Sequence, residues 1–149
     1  MRTVRVQTAD FDIEAECRAL AGGRPAIGAV VAFTGYVRGG NGLTALTIEH
    51  YPGMTEREIG RHAAEAEDRW PLDALTIIHR IGRLGGGDRI VLVAAASARR
   101  EPAFQAAEFL MDYLKTRAPF WKREERGTSM EWVEAKESDA TAALKWHRS

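Results

Sequence analysis

The apolar positions along the chain follow two periods, which predict strands interrupted by three helices. A continuous or alternating apolar run is typical of a strand, whereas apolar residues three and four apart indicate one face of a helix. The predicted strands are 3–7, 27–37, 43–50, 75–84, 89–96, 120–124 and 130–135. The predicted helices begin at Asp10 or Asp12, at Thr55 and at Glu101 or Pro102, and end at Gly22–Gly23, near Trp70 and near Thr116.

Two parts of this pattern indicate how the strands are arranged. The run 27–37 is apolar at successive positions near its centre, so we expect a strand that is buried on both faces. The runs 75–84 and 89–96 are joined by Gly85–Asp88, whose residues suit the turn of a hairpin. Because hairpins outnumber crossovers, we predict a single α+β domain over residues 1–149, with a mixed and mainly antiparallel sheet.

Composition narrows the classes of partner. The 149 residues are 45% hydrophobic, which suffices for one core, and 21 basic residues balance 21 acidic ones. A balanced charge provides no general attraction for nucleic acid or membranes. No signal peptide is recognisable and no apolar run approaches the roughly 18 residues of a membrane span, so we expect a cytoplasmic protein.

Cysteine and histidine usage points away from metal chemistry. The single cysteine, Cys17, shares a predicted helix face with Ile13 and Leu20, and this favours a role in packing. The four histidines lack the close spacing of a zinc site. We therefore expect no disulfide, no metal and no resident cofactor.

Three arginines lie at the ends of predicted elements. Arg38 closes a strand at the root of the glycine-rich loop Gly39–Gly42. Arg99 and Arg100 lie between a strand and the long helix, so their side chains and the N–H groups of the helix start can bind one anion together. These positions predict a site for phosphate or carboxylate.

Two lysines flank the bend at Pro119. Lys115 lies in the last turn of the long predicted helix and Lys122 lies in the strand that follows, so both side chains can face one pocket. Repulsion and partial burial would favour the loss of a proton from one ammonium group, which would supply a general acid or base near neutral pH. The pair is the candidate catalytic group.

Each candidate also has an ordinary structural explanation. A lysine at a helix C-terminus offsets the helix dipole, and Lys122 beside Arg123 and Glu124 fits a solvated strand face. The arginines fit surface positions, and His79 fits a packed or hydrogen-bonded residue better than a catalyst. The pattern of residues alone leaves the function undecided.

Five segments occur in order along nearly the whole chain: FTGYVR (33–38), IEHYPGMTE (48–56), IIHRIG (77–82), MDYLKTRAPFWKRE (111–124) and WVEAKESD (132–139). Together they resemble the large, catalytic subunits of molybdopterin synthase, the MoaE family. The resemblance implies an α+β fold of the hammerhead type with an added small α+β subdomain. It also implies a homodimer at the centre of a heterotetramer, with a small ubiquitin-like subunit at each outer end.

The resemblance further implies a sulfur transfer reaction. The partner's C-terminal Gly-Gly tail, carried as a thiocarboxylate, would enter a pocket of this chain and supply the sulfur. The substrate would be cyclic pyranopterin monophosphate and the product molybdopterin, within molybdenum cofactor biosynthesis. A chain that receives sulfur in this way needs no catalytic cysteine of its own.

Position by position, the resemblance assigns roles to the candidates. Lys115 and Lys122 match the catalytic lysines that also contact substrate. The other matched substrate-binding positions are Tyr36, Val37, Arg38, Arg99, Arg100, Arg123, Glu124 and Lys136. Two of these depart from the family pattern, because Arg99 stands where histidine is usual and Lys136 stands where arginine is frequent. Arg99 can hold phosphate but cannot shuttle a proton at neutral pH, and Lys136 lacks the bidentate fork.

Two rival classes of protein compete with this interpretation. A noncatalytic module could use the basic element ends to bind a phosphorylated ligand or RNA, although zero net charge argues against RNA. An enzyme for another small phosphate ester would need its own nucleophile, but neither a serine or cysteine elbow nor metal spacing is present.

Overall fold

The computed structural model describes residues 1–133, 141–142 and 144–146. Within them, eight strands form two four-stranded sheets and three helices pack against the first sheet. The strands are β1 (Arg2–Gln7), β2 (Ala29–Tyr36), β3 (Ala45–His50), β4 (Ala74–Arg80), β5 (Gly82–Leu84), β6 (Arg89–Ser97), β7 (Phe120–Arg126) and β8 (Ser129–Trp132). The helices are α1 (Ile13–Ala21), α2 (Met54–Arg69) and α3 (Arg100–Thr116).

The first sheet has the order β1-β4-β6-β2 and is covered on both faces. β1 runs parallel to β4, whereas β4 and β2 run antiparallel to β6, so the predicted mixed, mainly antiparallel sheet is confirmed. Side chains of β6 alternate between faces: Val91 and Val93 enter the core beneath α2 and α3, and Leu92 and Ala94 enter the core beneath α1. The α+β class is therefore confirmed.

Local sequence sets the helix ends. Asp12 caps α1 by accepting a hydrogen bond from the Ala15 amide at 3.0 Å, and Gly22 ends it in the left-handed conformation at φ 57°. In α3, Pro102 lies in the first turn, where a missing N–H costs nothing. One face of α3 is buried over its whole length, which fixes this helix across β6 and β2.

The predicted strand 75–84 proved to be two strands. β4 pairs with β6 as the hairpin pattern required, but Gly82 adopts φ 90° and β5 pairs with β3 in the second sheet, whose order is β5-β3-β7-β8. A side chain at residue 82 would be strained in this conformation, so glycine allows the chain to leave one sheet for the other. The second sheet provides one wall of the functional site.

The prediction that 27–37 is buried on both faces was wrong. β2 is an edge strand, paired only with β6 among the described residues, and alternate positions along it face solvent. Phe33 is 42% exposed and Tyr36 is 55% exposed. The continuous apolar pattern therefore marks a surface that this single chain leaves uncovered.

Cys17 is half-buried on α1, as expected of a packing residue. Burial, assisted by the Glu16 carboxylate, raises the pKa of the Cys17 thiol. Elsewhere, no helix in the described part of the chain is long and apolar enough to cross a membrane.

Candidate functional site

Lys115 and Lys122 line the same small cavity between α3 and the second sheet. The other lining residues of this lysine cavity are His79, Ile90, Val91, Met111 and Leu114. Lys122 is half-buried, whereas Lys115 at the last turn of α3 remains exposed at the entrance. Two cations thus converge on one largely apolar space, as their spacing about Pro119 predicted.

The bend that brings the two lysines together is fixed by a buried threonine. The Thr55 hydroxyl donates a hydrogen bond to the Pro119 carbonyl oxygen at 3.0 Å and accepts one from the Tyr51 amide at 2.9 Å. Thr55 is fully buried in the first turn of α2. Since the hydroxyl joins α2 to the segment between α3 and β7, it holds Lys115 and Lys122 on converging elements.

His79 forms part of the lysine cavity from the β4 side. It is 2% exposed, and its Nδ1 lies 2.8 Å from the Arg80 carbonyl oxygen. Its ring stacks on Phe120, with 3.9 Å between centroids. Burial, followed by the charges of Lys122 and Lys115, lowers the pKa of His79 to about 3, so the imidazole is neutral at physiological pH. The prediction of a packed, hydrogen-bonded histidine is confirmed.

Next to the lysine cavity, an open cleft of about 350 Å³ reaches the surface. Both lysines contribute to it, together with three residues of the FTGYVR segment, Tyr36, Val37 and Arg38. On the opposite wall, Glu124 and Arg126 project from β7 on the same face as Lys122, because alternate residues of a strand share a face. Cations from two walls therefore surround a space that is open to a small molecule.

The start of the loop after Arg38 is held against the Gly85–Asp88 turn. The Val37 amide donates to the Asp88 carbonyl oxygen and the Gly87 amide donates to the Val37 carbonyl oxygen, each at 2.8 Å. A Cβ at Gly86 would lie 2.9 Å from the Gly39 Cα, so glycine at 86 is needed for the close approach of loop and turn. These contacts fix the position from which Arg38 enters the open cleft.

Arg99 and Arg100 lie far from the open cleft of their own chain. They stand at the N-terminus of α3, whereas Lys115 stands at its C-terminus, roughly 22 Å away at 1.5 Å per residue. Both arginines are exposed. Within one chain, therefore, the predicted group of Arg38, Arg99 and Arg100 is not assembled.

Of the remaining predicted substrate-binding residues, only some lie in the open cleft. Glu124 lies in the open cleft and contacts the Arg126 guanidinium. Arg123 projects from the other face of β7, where its guanidinium lies 5.6 Å from the centre of the Trp132 ring. Lys136 lies outside the described residues. No group of three or more His, Cys, Asp or Glu residues suited to a metal ion occurs in the described part of the chain.

Sequence reasoning missed Arg126. The Arg126 guanidinium donates from Nε to the Asn41 carbonyl oxygen at 3.1 Å and so connects β7 with the loop at the cleft mouth. The alternation Lys122, Glu124, Arg126 is a signal that could have found this residue, because every second side chain of a strand faces the same way. The predicted strand ended at Glu124, two residues too early.

The fold and the open cleft define an α+β protein whose cleft is lined by lysines and arginines, a distribution of charge that suits a small anion. The family model described as MoaE protein matches residues 6–117 of this chain. A molybdopterin synthase catalytic subunit from Mesorhizobium japonicum is 60% identical over 150 residues, covering 99% of this chain and 94% of that protein. The chain belongs to the MoaE family.

Solved structures agree with this assignment. Molybdopterin cofactor biosynthesis protein E from Burkholderia multivorans is 51% identical, with a TM-score of 0.85 over 98% of this chain and 97% of that one. A complex of subunits 1 and 2 of molybdopterin-converting factor from Helicobacter pylori has a TM-score of 0.71, covering 91% of this chain and 90% of that one. At 20% identity the Helicobacter likeness concerns the fold alone.

Proposed function

We propose that this chain is the catalytic subunit of a molybdopterin synthase and transfers sulfur to cyclic pyranopterin monophosphate in molybdenum cofactor biosynthesis. The observation that carries the proposal is the convergence of Lys115 and Lys122 on one cavity, with Arg38 in the open cleft next to it. Family membership and relatives named as molybdopterin synthase catalytic subunits support the reaction class.

The proposed roles follow from the positions of the charges. Arg38 binds the phosphate in the open cleft, where a guanidinium can form two parallel hydrogen bonds to phosphate oxygens. The lysines lie deeper and act on the reacting atoms. One transfers protons while a C–S bond forms and the phosphate ring opens, and the other stabilises the developing negative charge. Water cleaves the acyl–sulfur bond and leaves a carboxylate on the sulfur donor.

The sulfur donor is a small ubiquitin-like subunit that ends in a Gly-Gly thiocarboxylate. The lysine cavity itself, at about 10 Å³, has room for about one water molecule, so the tail would end in the open cleft beside the two ammonium groups, which suit its terminal negative charge. The open cleft leads into this cavity through the shared residues Lys115 and Lys122. The tail and the pterin can therefore meet at the lysines.

A second copy of the chain completes the proposed site. No strand of the described residues pairs with the outer edge of β2, and exposed Phe33 and Phe104 line an apolar groove between β2 and α3. Such an edge pairs readily with another strand, and a two-fold axis makes the contact self-complementary. A homodimer through this face would cover the apolar residues that one chain leaves exposed.

The same two-fold arrangement would bring the separated arginines to the open cleft. Arg38 follows one end of β2, while Ala29 at the other end pairs with Ser97, two residues before Arg99. Antiparallel apposition of two β2 strands places the Arg38 end of one copy beside the Arg99 and Arg100 end of the other. Each site would then take its lysines from one protomer and part of its phosphate-binding cations from the partner.

The lysine roles are tested with single substitutions in the assembled complex. Lys115→Ala and Lys122→Ala are each expected to slow single-turnover product formation with thiocarboxylated partner by at least about 100-fold. Arg18→Ala is the control, because Arg18 pairs with Glu14 on the exposed face of α1, outside both the cleft and the groove between β2 and α3. Near-normal rates in both cavity variants would refute the lysine mechanism.

The shared site is tested with mixed dimers of Arg100→Ala and Lys115→Ala chains. If each site uses Lys115 of one protomer and Arg100 of the other, a mixed dimer has one intact site and one doubly defective site. It should therefore show about half of the wild-type rate per dimer. If both residues act within one chain, the mixed dimer has no intact site and stays inactive, which would refute the shared arrangement.

A further inference from the structure

His79 is a buried polar residue that the proposed mechanism does not use. Its side chain is enclosed between β4 and β7 and lines the cavity that holds both lysines. A histidine that only filled space here would cost the desolvation of two ring nitrogens. The surroundings of each nitrogen therefore matter.

The hydrogen bond at Nδ1 sets the tautomer of His79. Its partner, the Arg80 carbonyl oxygen, only accepts hydrogen bonds, so Nδ1 must carry the hydrogen. The buried ring is neutral, and Nε2 is then left without a proton. Nε2 is consequently a hydrogen-bond acceptor at the lysine cavity.

Lys122 is the candidate donor for this acceptor, because it lines the same cavity as His79. Phe120 stacks on the imidazole, and Lys122 lies two residues further along β7 on the same face as Phe120. The charged or titratable groups that face His79 from the surrounding elements are Lys122 on β7, Lys115 on α3 and His50 on β3. Of the two lysines, Lys122 is the half-buried one, whereas Lys115 is exposed.

We propose that His79 is a positioning residue, whose Nε2 accepts a hydrogen bond from the Lys122 ammonium and fixes its direction within the lysine cavity. This inference rests on the proposed function, because positioning matters only if Lys122 acts on the reacting atoms. A long lysine side chain has many rotamers, and one fixed acceptor selects among them before substrate binds. His79 itself touches neither the pterin nor the sulfur.

Two substitutions separate this role from simple packing. His79→Phe keeps a ring to stack on Phe120 but removes Nε2, whereas His79→Gln loses the ring but keeps an acceptor oxygen near the position of Nε2. Both variants lose the hydrogen bond from Nδ1 to the Arg80 carbonyl oxygen. The effect of this loss therefore cancels when the rates of the two variants are compared. In single turnover we expect His79→Gln to be about 10-fold faster than His79→Phe, with unchanged affinity for the partner subunit. A faster His79→Phe variant would show that the ring matters only for packing and would overturn the inference.

A measurement independent of activity tests the contact itself. The ¹⁵N chemical shift of His79 Nε2 should change in Lys122→Met, which removes the donor with little change in side-chain length, and should change less in Lys115→Met. No change in Lys122→Met would overturn the inference. If that shift is unchanged while Lys122→Met is inactive, the positioning role fails and the proposed function stands. If the shift changes while both lysine variants turn over normally, the lysine mechanism fails and the positioning role fails with it.

Discussion

Arg126 joins the β7 wall of the open cleft to the opposite loop by a 3.1 Å hydrogen bond from its Nε to the Asn41 carbonyl oxygen. Asn41 adopts φ 51°, a conformation uncommon for residues other than glycine, so the bond helps to hold an unusual turn. The same guanidinium contacts Glu124. The loop that begins at Arg38 is therefore connected to the strand that carries Lys122.

Replacement of Arg126 should loosen this loop. Arg126→Ala removes a hydrogen bond worth about 1 kcal/mol, so we expect KM for the pterin substrate to rise about five-fold and amides of residues 40–42 to exchange faster. Arg83→Ala is the matched control, because Arg83 pairs with Glu125 on the same sheet outside the open cleft. Equal KM values for the two variants would contradict a role for the Arg126 contact.

The apolar groove between β2 and α3 predicts a self-association surface. Phe104→Asp places a charge where a 59% exposed aromatic ring would be covered by the second copy. We expect the dimer dissociation constant, measured by sedimentation equilibrium, to rise by at least about 100-fold. Met130→Asp alters another exposed apolar residue, on β8, and should leave association unchanged. Equal effects of the two substitutions would argue against this dimer surface.

Two glycines should respond in opposite ways to alanine. A Cβ at Gly28 would lie 2.3 Å from the Ala98 carbonyl oxygen, so Gly28→Ala should lower the free energy of unfolding by about 1–3 kcal/mol. A Cβ at Gly60, in the middle of α2, meets nothing within 4 Å, so Gly60→Ala should raise it by about 0.5–1 kcal/mol. Urea denaturation measures the free energy of unfolding of both variants. If the two substitutions changed it in the same direction, the difference in space around the two glycines would not explain their effects.

The buried imidazole of His79 should make stability depend on pH. Its pKa is about 3 in the folded chain against an ordinary value of 6.5, so below pH 6.5 the unfolded state binds a proton that the folded state does not. The free energy of unfolding contributed by this group is therefore lost as pH falls, at about 1.4 kcal/mol per pH unit between these two values.

His79→Phe isolates this contribution. Urea denaturation of the wild-type chain and of His79→Phe between pH 6.5 and 5 should show the wild-type chain losing more stability, by about 1.4 kcal/mol per pH unit at the limiting slope. That range lies above most carboxylate titrations, which affect both chains equally. Parallel stability curves would mean that His79 titrates alike in the folded and unfolded states.

Periodicity predicted the elements well where one chain supplies all the contacts. The helix α3 and the strands β4 and β6 are buried by neighbours in the same chain, and their apolar patterns matched their burial. β2 has an equally apolar pattern but lies at a sheet edge. An apolar run predicts that a strand is buried against another surface. It does not indicate whether that surface belongs to the same chain.

The lysine pair was predictable because the two residues are close in sequence and a proline bend lies between them. Arg99 and Arg100 show the limit of this reasoning, since a straight helix separates them from Lys115 and the distance follows only from the assembled fold. The environment of the His79 ring could be described only once the residues that contact it were known. Nothing in the segment IIHRIG indicates which ring nitrogen meets a carbonyl oxygen.

The position of Cys17 has a consequence for the chemistry of an activated acyl group. It is the only cysteine in the sequence, and it lies on α1, across the first sheet from the core that borders the lysine cavity. Burial keeps this thiol protonated. In the proposed reaction, a thioacid at the cavity would therefore meet no thiolate of the surrounding subunit with which it could exchange, and its sulfur would be transferred only to the pterin.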